Sequence, residues 1–505
     1  MTEAPTPSRS RLGRLFEIDP RALAAFRITF GVLLLSDVIK RALALEAHYT
    51  DQGILPRRAL FEFLPDPTIF QAYLWSGSTA YVATLFVIAG LLALCVTFGF
   101  HARLATWLYL WLQVSVRLRN PLACHTGDVY LTVITLFAAF LPYSHVLSLD
   151  RRLKPGMPRL AMPFLSVGGA AMLLQIAAFY VAAGVDKHHF EVWQSGEAVA
   201  WFAKLGMYTT PIGKLLEDWP GLCRFATYFT LVLEIGGPLA LFLPWGTRWI
   251  RTVVVLLFVG FHLGIQLVVY IGIFELVSIS AALLYLPPMV WDFVGRFVPA
   301  FRRERLAVAP PGAAGFRPGR VGELLAGAAI AIVLYSNAWA AVTRRPGPFP
   351  PGQPRAFLRS LELRQCWQIF SDLDQPTLGW FFAVGRRSDG SLVNLWTEEP
   401  FTGDFSRPAG FAGNFPNHNW RRVWNLIRFD SYVGVRPHLA EYLLRRWQER
   451  HGERLEQVMI LEIEEGRGVD DPAGRKPLID YTPGHDGVAA SWYVAPYRFR
   501  DVIAR

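Results

Sequence analysis

The first 343 residues alternate long apolar stretches with short polar connections. A stretch of about 20 apolar residues is long enough to cross a bilayer as a helix. The pattern predicts nine such spans: 22–40, 79–99, 102–118, 127–147, 163–185, 224–244, 250–270, 272–291 and 321–343. We therefore expect residues 1–343 to form a mainly α-helical, polytopic transmembrane bundle.

The pattern changes at residues 344–352 (RRPGPFPPG), whose prolines predict a stiff linker. Residues 353–505 then have the composition of a soluble domain. The alternation predicts strands at 361–370, 380–387, 392–397 and 458–464, and an amphipathic helix at 437–451 that ends at Gly452. The turn sequence SDGS at 388–391 joins two of these strands as a hairpin. The sequence predicts a small α+β domain here.

Composition agrees with a membrane protein. The 505 residues are 52% hydrophobic and 18% charged, whereas soluble domains average about 25% charged residues. The net charge of +10 would suit a nucleic-acid partner. However, the basic residues sit between apolar segments and do not cluster with aromatic residues, so we expect no nucleic-acid binding.

The distribution of Lys and Arg predicts the orientation of the bundle in a cell membrane. Positive charges concentrate in the loops that are cytoplasmic when the N-terminus is cytoplasmic. They include Arg9, Arg11, Arg14, Arg151, Arg152, Lys154, Arg302, Arg303 and Arg305. An odd number of spans then makes the C-terminal domain extracytoplasmic. The first apolar stretch lacks a small-residue cleavage site and continues into Asp37, Lys40 and Arg41, which indicates an uncleaved first span.

Several polar residues fall inside predicted spans, where they are costly unless they pair or line a cavity. They are Arg27, Asp37, Gln113, Asp128, Gln175, Glu234, His262, Gln266 and Glu275. One interpretation is that they hold helices together, as Arg27 and Asp37 could. The other is that Arg27, Asp128, Glu234, His262, Gln266 and Glu275 line an internal polar pocket.

Lys187 lies where the fifth span leaves the membrane, in the sequence GVDKHH at 184–189. A lysine at such a boundary commonly extends its ammonium to water. Alternatively, a lysine that is desolvated against the bundle can be neutral and act as a base. The adjacent His188 and His189 lack accompanying ligands, so we predict no metal site. The aromatic-rich segment 186–222 predicts interfacial helices that could cover the cavity.

The chain resembles the HTTM (horizontally transferred transmembrane) proteins, the group that contains the vitamin K-dependent γ-carboxylases. The resemblance covers about residues 15–345. It rests on motifs at 19–31, at 48–56 (HYTDQGILP), at Gly127-Asp128, at 180–187 (YVAAGVDK) followed by Trp193, Gly196 and Ala198, and on Phe261-His262, Gln266, Ile271-Gly272 and Phe274.

The resemblance implies a nine-span bundle with an extracytoplasmic C-terminal part. It also implies reduced vitamin K or another quinol as cofactor, with Lys187 as the base. The implied activity is that of a carbon–carbon lyase and epoxidase, in which quinol oxygenation drives carboxylation of glutamate in a secreted protein or peptide. Three features depart from the carboxylases. Asp186 replaces the first of their two lysines, and the histidine of their Asn-rich stretch has no definite match among Asn120, His125, Gly127 and Asp128. The C-terminal domain is also shorter than their propeptide-binding region, so the resemblance does not extend to substrate recognition.

Two further hypotheses remain open at this stage. The chain could be a non-catalytic protein that binds membrane lipid and assists the maturation or export of a secreted protein. In that case the C-terminal domain would recognise the partner. A transporter is the third hypothesis, although no inverted repeat is visible. The sequence does not determine the oligomeric state.

Overall fold

The structure is a computed structural model. It describes residues 11–63, 71–205, 208–302, 318–350, 353–370, 380–406, 415, 417–463 and 475–481. Within these ranges the fold is mainly helical, and the strands form a four-stranded sheet near the C-terminus.

The longer helices of the bundle are numbered in chain order. They are α1 Pro20–Ala42, α2 Thr79–Phe98, α3 Ala102–Arg119, α4 Thr126–Ala138, α5 Val167–Lys187, α6 Pro220–Leu241, α7 Thr247–Val268, α8 Phe274–Ala282, α9 Pro288–Phe297 and α10 Arg320–Thr343. Short helices lie between them at Arg11–Leu15, Leu45–Tyr49, Arg57–Phe63, Ala72–Trp75, Leu149–Leu153, Glu191–Gln194, Ala198–Lys204 and Pro211–Lys214. Single 3-10 turns are found at Pro121–Ala123, Tyr143–His145, Leu215–Asp218, Leu283–Tyr285 and Pro299–Phe301.

Local sequence signals determine where the first two long helices begin and end. The Asp19 carboxylate accepts a hydrogen bond of 2.8 Å from the Arg21 amide, and Pro20 occupies the first helical position of α1. Ser78 caps α2 in the same way. Gly99 ends α2 with φ of 72°, a left-handed conformation that glycine adopts without strain.

Five of the described helices are long and apolar enough to cross a membrane, namely α1, α2, α5, α7 and α10. A sixth candidate is the pair Phe274–Tyr285 and Pro288–Phe297, which bends by 107° at its break. These six coincide with six of the nine predicted spans. The structure therefore supports a membrane protein with five or six candidate spans, and the number nine is not confirmed.

The other three predicted spans form helices that differ from a simple span. Helix α3 carries Arg103, Arg117 and Arg119. Helix α4 has 13 residues, which gives a length of only about 20 Å. Helix α6 is long enough, but Arg224 and Glu234 lower its hydropathy.

The bundle is built from neighbouring helices that pack closely. Helix α1 packs against α2, while α5 packs against both α6 and α10, and α6, α7 and α8 follow one another. Gly31 permits the first of these contacts, because a Cβ atom there would lie 2.4 Å from Thr97 Oγ1. A larger residue at position 31 would separate α1 from α2.

The sheet contains β1 Trp380–Arg386, β2 Leu392–Asn394, β3 Gln457–Ile463 and β4 Arg475–Tyr481, in the order β2-β1-β3-β4. All neighbouring strands are antiparallel, and Arg386 pairs with Leu392 across the predicted hairpin turn. The predicted hairpin, the strand near 458–464 and the helix at 437–451 are confirmed.

Helices α12 His418–Ile427 and α13 Arg436–His451 accompany the sheet, with a 3-10 helix at Asp430–Val435 between them. As expected, α13 ends at Gly452, which has φ of 67°. Helix α12 was not predicted. Its first turn is capped by Asn417, whose side chain accepts from the Trp420 amide at 3.0 Å.

The predicted strand at 361–370 is wrong. Residues 353–360 form helix α11, and residues 361–370 are irregular and follow the bundle surface. Leu363 and Trp367 are 4% exposed and belong to the hydrophobic core of the bundle. This segment, which the sequence groups with the C-terminal domain, thus packs with the bundle.

The sheet and its helices have a second core, which includes residues from the N-terminal half. Ile54, Leu60 and Leu122 join Trp424 and Leu439 in this core. The Asn419 amide also donates to the Tyr49 hydroxyl at 3.4 Å. The C-terminal domain is therefore docked on the segment that follows α1.

Candidate functional site

A cavity of about 90 Å³ lies inside the bundle, bordered by α5, α6 and α7. Most of its wall is aromatic or aliphatic. The aromatic residues Phe179, Phe202, Phe261, Phe274 and Phe370 contribute to it. The polar side chains at the cavity are Tyr180, Lys187, Trp193, Thr230, Glu234 and His262. Apolar walls with a few convergent polar groups are typical of small-molecule sites.

Lys187 and Glu234 form a buried ion pair at this cavity. The Lys187 ammonium donates to both Glu234 carboxylate oxygens, at 3.0 Å and 2.8 Å. Lys187 is 3% exposed and Glu234 6%. The Lys187 ammonium is therefore buried against Glu234 and does not extend to water. The ammonium also lies 5.4 Å from the centre of the Trp193 ring.

Gly184 allows α5 and α6 to approach at this pair. A Cβ atom at position 184 would lie 2.8 Å from Ile235 Cγ1 and 3.1 Å from Glu234 Cβ. Lys187 is three residues further along α5, so it lies on the same helix face as Gly184. The glycine thereby brings the Glu234 carboxylate within reach of the lysine.

Asp186, the nearest carboxylate in sequence, has a different partner. Its Oδ1 atom lies 3.5 Å from the Arg344 guanidinium, at the end of α10. The sequence places Asp186 beside Lys187, but neighbouring residues on a helix point in different directions. Glu234 is therefore the carboxylate that contacts Lys187.

His262 of α7 and Tyr180 of α5 form a second polar pair at the cavity. The Tyr180 hydroxyl lies 2.6 Å from His262 Nε2. His262 is 1% exposed, and its Nδ1 atom has no hydrogen-bond partner in the part of the chain that the structure describes. Buried polar atoms are usually paired with protein or water. The free Nδ1 atom is thus a candidate contact for a bound molecule.

Asp128 belongs to a different polar cluster, centred on Arg41 at the end of α1. The Arg41 guanidinium contacts Asp128, donates to Asp37 at 2.8 Å and donates to the Tyr49 hydroxyl at 2.9 Å. The second Asp128 oxygen accepts from the His125 amide at 3.0 Å, which caps α4. Asp37 therefore pairs with Arg41, and not with Arg27 as one interpretation suggested.

The cluster continues into the C-terminal domain through two histidines. The His125 and His418 rings meet edge to face, with 4.3 Å between their centres. Gly272 leaves room for them, since a Cβ atom there would lie 3.2 Å from His125 and 3.3 Å from His418. The Arg421 guanidinium donates to His418 Nδ1 and to the Tyr270 carbonyl oxygen.

Burial controls the protonation of this interface. Desolvation lowers the pKa of His125 to about 4 and holds that of His418 well below its usual value. It also lowers the pKa of Arg421 to about 10. Both histidines are consequently neutral at pH 7, which lets them pack together beside Arg421.

Glu275 is enclosed in the bundle near this interface. It is 0% exposed, and neither carboxylate oxygen has a hydrogen-bond partner among the described residues. Glu275 therefore stands apart from the Lys187–Glu234 pair.

Two predicted site residues lie outside both clusters. The Arg27 guanidinium donates to the carbonyl oxygens of Tyr143, Val146 and Leu147, and so holds the turn after α4. Gln266 is partly exposed on α7 and does not line the cavity. The structure thus brings together Lys187, Glu234 and His262 from the predicted set, and places Asp128 and Glu275 elsewhere.

Sequence reasoning missed several residues at these sites, namely Tyr180, Trp193, Phe370, His418 and Arg421. Tyr180 and Trp193 are within the motif that singles out Lys187, and the sequence places Trp193 in the interfacial segment 186–222, but it gives neither residue a role at the site. His418 and Arg421 lie three residues apart at the start of a helix, and that spacing alone is too common to indicate a site.

The family model described as HTTM domain matches residues 16–291. This chain belongs to the HTTM family. No curated protein and no solved structure matches it. The resemblance seen in the sequence is therefore confirmed at the level of the family.

The HTTM match includes every polar residue at the cavity, from Tyr180 to His262. Two lining residues, Ile369 and Phe370, lie beyond it. The HTTM region thus supplies the ionisable groups, while the later part of the chain completes the wall.

Proposed function

We propose that this HTTM protein is a quinol-coupled membrane enzyme whose cavity receives the ring of a quinol, with Lys187 as the base. The observation that carries this proposal is the buried Lys187–Glu234 pair at one wall of an aromatic cavity. Burying two charges is costly, and a buried pair often stabilises a fold no more than apolar residues of similar volume would. A chemical role is a reason to retain it.

The cavity residues fit the ring of a reduced vitamin K or another quinol. Phe179, Phe202 and Phe274 offer aromatic surfaces for stacking. Lys187, Glu234 and the unpartnered His262 Nδ1 atom can hydrogen-bond to ring oxygens. Such a quinol would supply the reducing equivalents that, on reaction with oxygen, provide a strong base for removing a substrate proton.

Glu234 offers Lys187 a place for its proton. A base must be neutral before it can accept a proton, and an ammonium is not. At 2.8 Å, the Glu234 carboxylate can accept the proton from the Lys187 ammonium and leave a neutral amine. Lys187 can then take a proton from a hydroxyl in the cavity.

We further propose that the reaction modifies an extracytoplasmic substrate by carboxylation or a related lyase reaction. The distribution of positive charge supports a cytoplasmic N-terminus and an outer C-terminal domain. A secreted protein or peptide would then meet the enzyme on the side of the C-terminal domain, in a cell membrane.

The test uses the full chain in lipid nanodiscs with a menaquinol that carries one isoprenoid unit. Oxygen uptake and incorporation of labelled bicarbonate into a glutamate-rich peptide are measured. We expect Lys187→Ala to lower quinol-dependent oxygen uptake by about 100-fold or more, the usual loss when a general base is removed. Lys187→Arg should fail equally, because a guanidinium stays protonated.

Lys214→Ala is the matched control, because Lys214 is an exposed lysine outside the cavity. It should retain full turnover. If Lys187→Ala retains the turnover of the parent protein, Lys187 is not the base. If the parent protein neither takes up oxygen with the quinol nor incorporates bicarbonate into the peptide, the non-catalytic hypothesis of a lipid-binding maturation partner replaces this one. Deleting residues 353–505 is a poorer test, because it removes part of the cavity wall.

A further inference from the structure

Ile369 and Phe370 complete the cavity from outside the HTTM match. They belong to residues 361–370, which we call the strap. Most HTTM residues around the cavity are buried, including Phe179, Lys187 and Phe274, whereas Ile369 and Phe370 remain partly exposed. The strap therefore forms a thin section of wall, with the cavity on one side and the protein surface on the other.

Buried polar contacts anchor the strap to the bundle. The Gln365 side-chain amide donates to Gln175 at 2.9 Å, while its oxygen accepts from Asn337 at 3.1 Å and from the Trp367 indole at 2.9 Å. Gln365 is 3% exposed. At the other end of the strap, Glu362 pairs with Arg117 of α3. These contacts join the strap to α3, α5 and α10.

Phe370 itself is held in a defined position. Its carbonyl oxygen accepts a hydrogen bond of 2.9 Å from the Trp193 indole, and its ring meets Phe202 edge to face at 4.9 Å. Its φ angle of 54° is unusual for a residue with a side chain. Conformations of this kind persist when the surrounding contacts impose them.

We infer that Phe370 determines which ring substituents the cavity accepts. The inference rests on the proposed function, in which Lys187, Glu234 and His262 contact the ring of a quinol. These groups recognise the ring oxygens and are indifferent to a hydrocarbon tail. A tail must leave the cavity through a thin section of wall, and the anchored Phe370 ring obstructs the section at the strap. Its size then limits the bulk of the substituent.

Val199 also lines the cavity and is partly exposed. A further thin section is on α7, where Phe261 and Ile265 line the cavity and are partly exposed. It provides the matched comparison. Phe261 and Phe370 are the same residue type at different sections, so replacing each by alanine enlarges one section at a time.

The experiment measures equilibrium binding of two radiolabelled menaquinols, which carry one and four isoprenoid units, to the full chain in nanodiscs. The measured quantity is the ratio of the two binding constants, four-unit quinol over one-unit quinol. We expect Phe370→Ala to raise this ratio by about 10-fold, within the range that steric changes in an apolar pocket produce. Phe370→Trp should shift it in the opposite direction. Phe225→Ala, at an exposed phenylalanine of α6 outside the cavity, should leave the ratio unchanged. Phe261→Ala tests the section on α7 in the same way as Phe370→Ala tests the strap. Phe370→Leu serves as a second variant if the alanine protein unfolds.

The outcomes separate this inference from the proposed function. If Lys187→Ala loses quinol turnover but Phe370→Ala and Phe370→Leu keep the parent binding ratio, the role of Phe370 is wrong and the proposed function stands. A shifted ratio in Phe261→Ala alone likewise overturns it, because the tail then leaves past α7. If the parent binds neither quinol, the proposed function fails and the inference fails with it.

Discussion

The Trp193 indole donates a hydrogen bond to the carbonyl oxygen of Phe370 across 177 residues of sequence. The same indole ring lies 5.4 Å from the Lys187 ammonium. Trp193 therefore contacts both the ionisable pair of the HTTM region and the strap that completes the cavity. A change in the position of the strap would therefore displace Trp193, and with it the ring that lies beside the Lys187 ammonium.

The Lys187–Glu234 pair should behave as a unit in stability measurements. Removing one member leaves a buried charge without a partner, so Lys187→Met or Glu234→Leu alone should lower the free energy of unfolding by about 3–5 kcal/mol. The double variant should regain most of that loss. Denaturant titration in detergent measures all three proteins. Additive losses in the double variant would contradict a direct interaction.

Gly184→Ala should destabilise the protein by about 1–3 kcal/mol, because the added methyl group pushes α6 away from α5. Gly260→Ala on α7 is the control, since a Cβ atom there meets nothing within 4 Å. That variant should gain up to about 1 kcal/mol from helix propensity. Thermal unfolding of both variants checks this expectation. Equal effects of the two substitutions would contradict the inference that Gly184 permits the close approach of α5 and α6.

Glu275→Gln and Asp128→Asn should have opposite effects. The Glu275 carboxylate is buried without a hydrogen-bond partner, so its neutral isostere should stabilise the protein by about 1 kcal/mol or more at neutral pH. Asp128 pairs with Arg41, and its replacement should cost about 3–5 kcal/mol. Unfolding measurements on the two variants decide the matter. A loss in Glu275→Gln would indicate a partner for that carboxylate.

The histidine contact between the bundle and the C-terminal domain should make stability depend on pH. In the unfolded chain histidine has a pKa of about 6.5, whereas burial lowers that of His125 to about 4. Between pH about 4 and about 6.5 the unfolded state therefore binds more protons than the folded state. The stabilisation is complete above pH about 6.5 and is lost as the pH falls toward about 4.

Melting temperatures recorded across that interval test the prediction, with His418→Gln as the comparison. Desolvation also lowers the pKa of His418 and of His48, so the variant should show a smaller decline with acidity, although His48 and His125 still contribute. An identical decline in the parent and the variant would mean that His418 adds nothing to the pH dependence.

Gln365→Ala should loosen the strap. It leaves Gln175, Asn337 and the Trp367 indole without the partner they share, at a cost of about 1–3 kcal/mol. Gln368→Ala is the nearby comparison, because that exposed side chain donates one hydrogen bond, to the Arg344 carbonyl oxygen at 3.2 Å. Hydrogen exchange over residues 361–370 should rise clearly more in the Gln365 variant. Unchanged exchange would show that the Gln365 contacts do not hold the strap.

The helices of the bundle could be predicted because each long apolar stretch contains its own signal. A segment in a bilayer must satisfy its backbone polar groups internally, so length and hydropathy suffice to locate it. Length and hydropathy did not determine the number of spans. Helices α3 and α6 carry charged residues whose cost depends on neighbours, as Glu234 on α6 shows.

The C-terminal region was only partly predictable. The hairpin at 388–391 and the end of α13 at Gly452 depend on local turn chemistry and were correct. The alternating apolar residues of the strap predict a strand. In the structure, Leu363 and Trp367 are buried by the bundle, and tertiary packing overrides the local preference.

The sequence by itself determined the class of protein and the family resemblance, and it predicted Lys187 as a candidate base, because these depend on composition and on motifs of a few residues. Only the tertiary structure decided which groups meet. Lys187 pairs with Glu234, 47 positions away, and not with the adjacent Asp186. Gln365 meets Gln175 across 190 positions. The physical reason is that polar side chains on helices find partners through helix packing, which the close approach at Gly184 controls and which no local pattern contains.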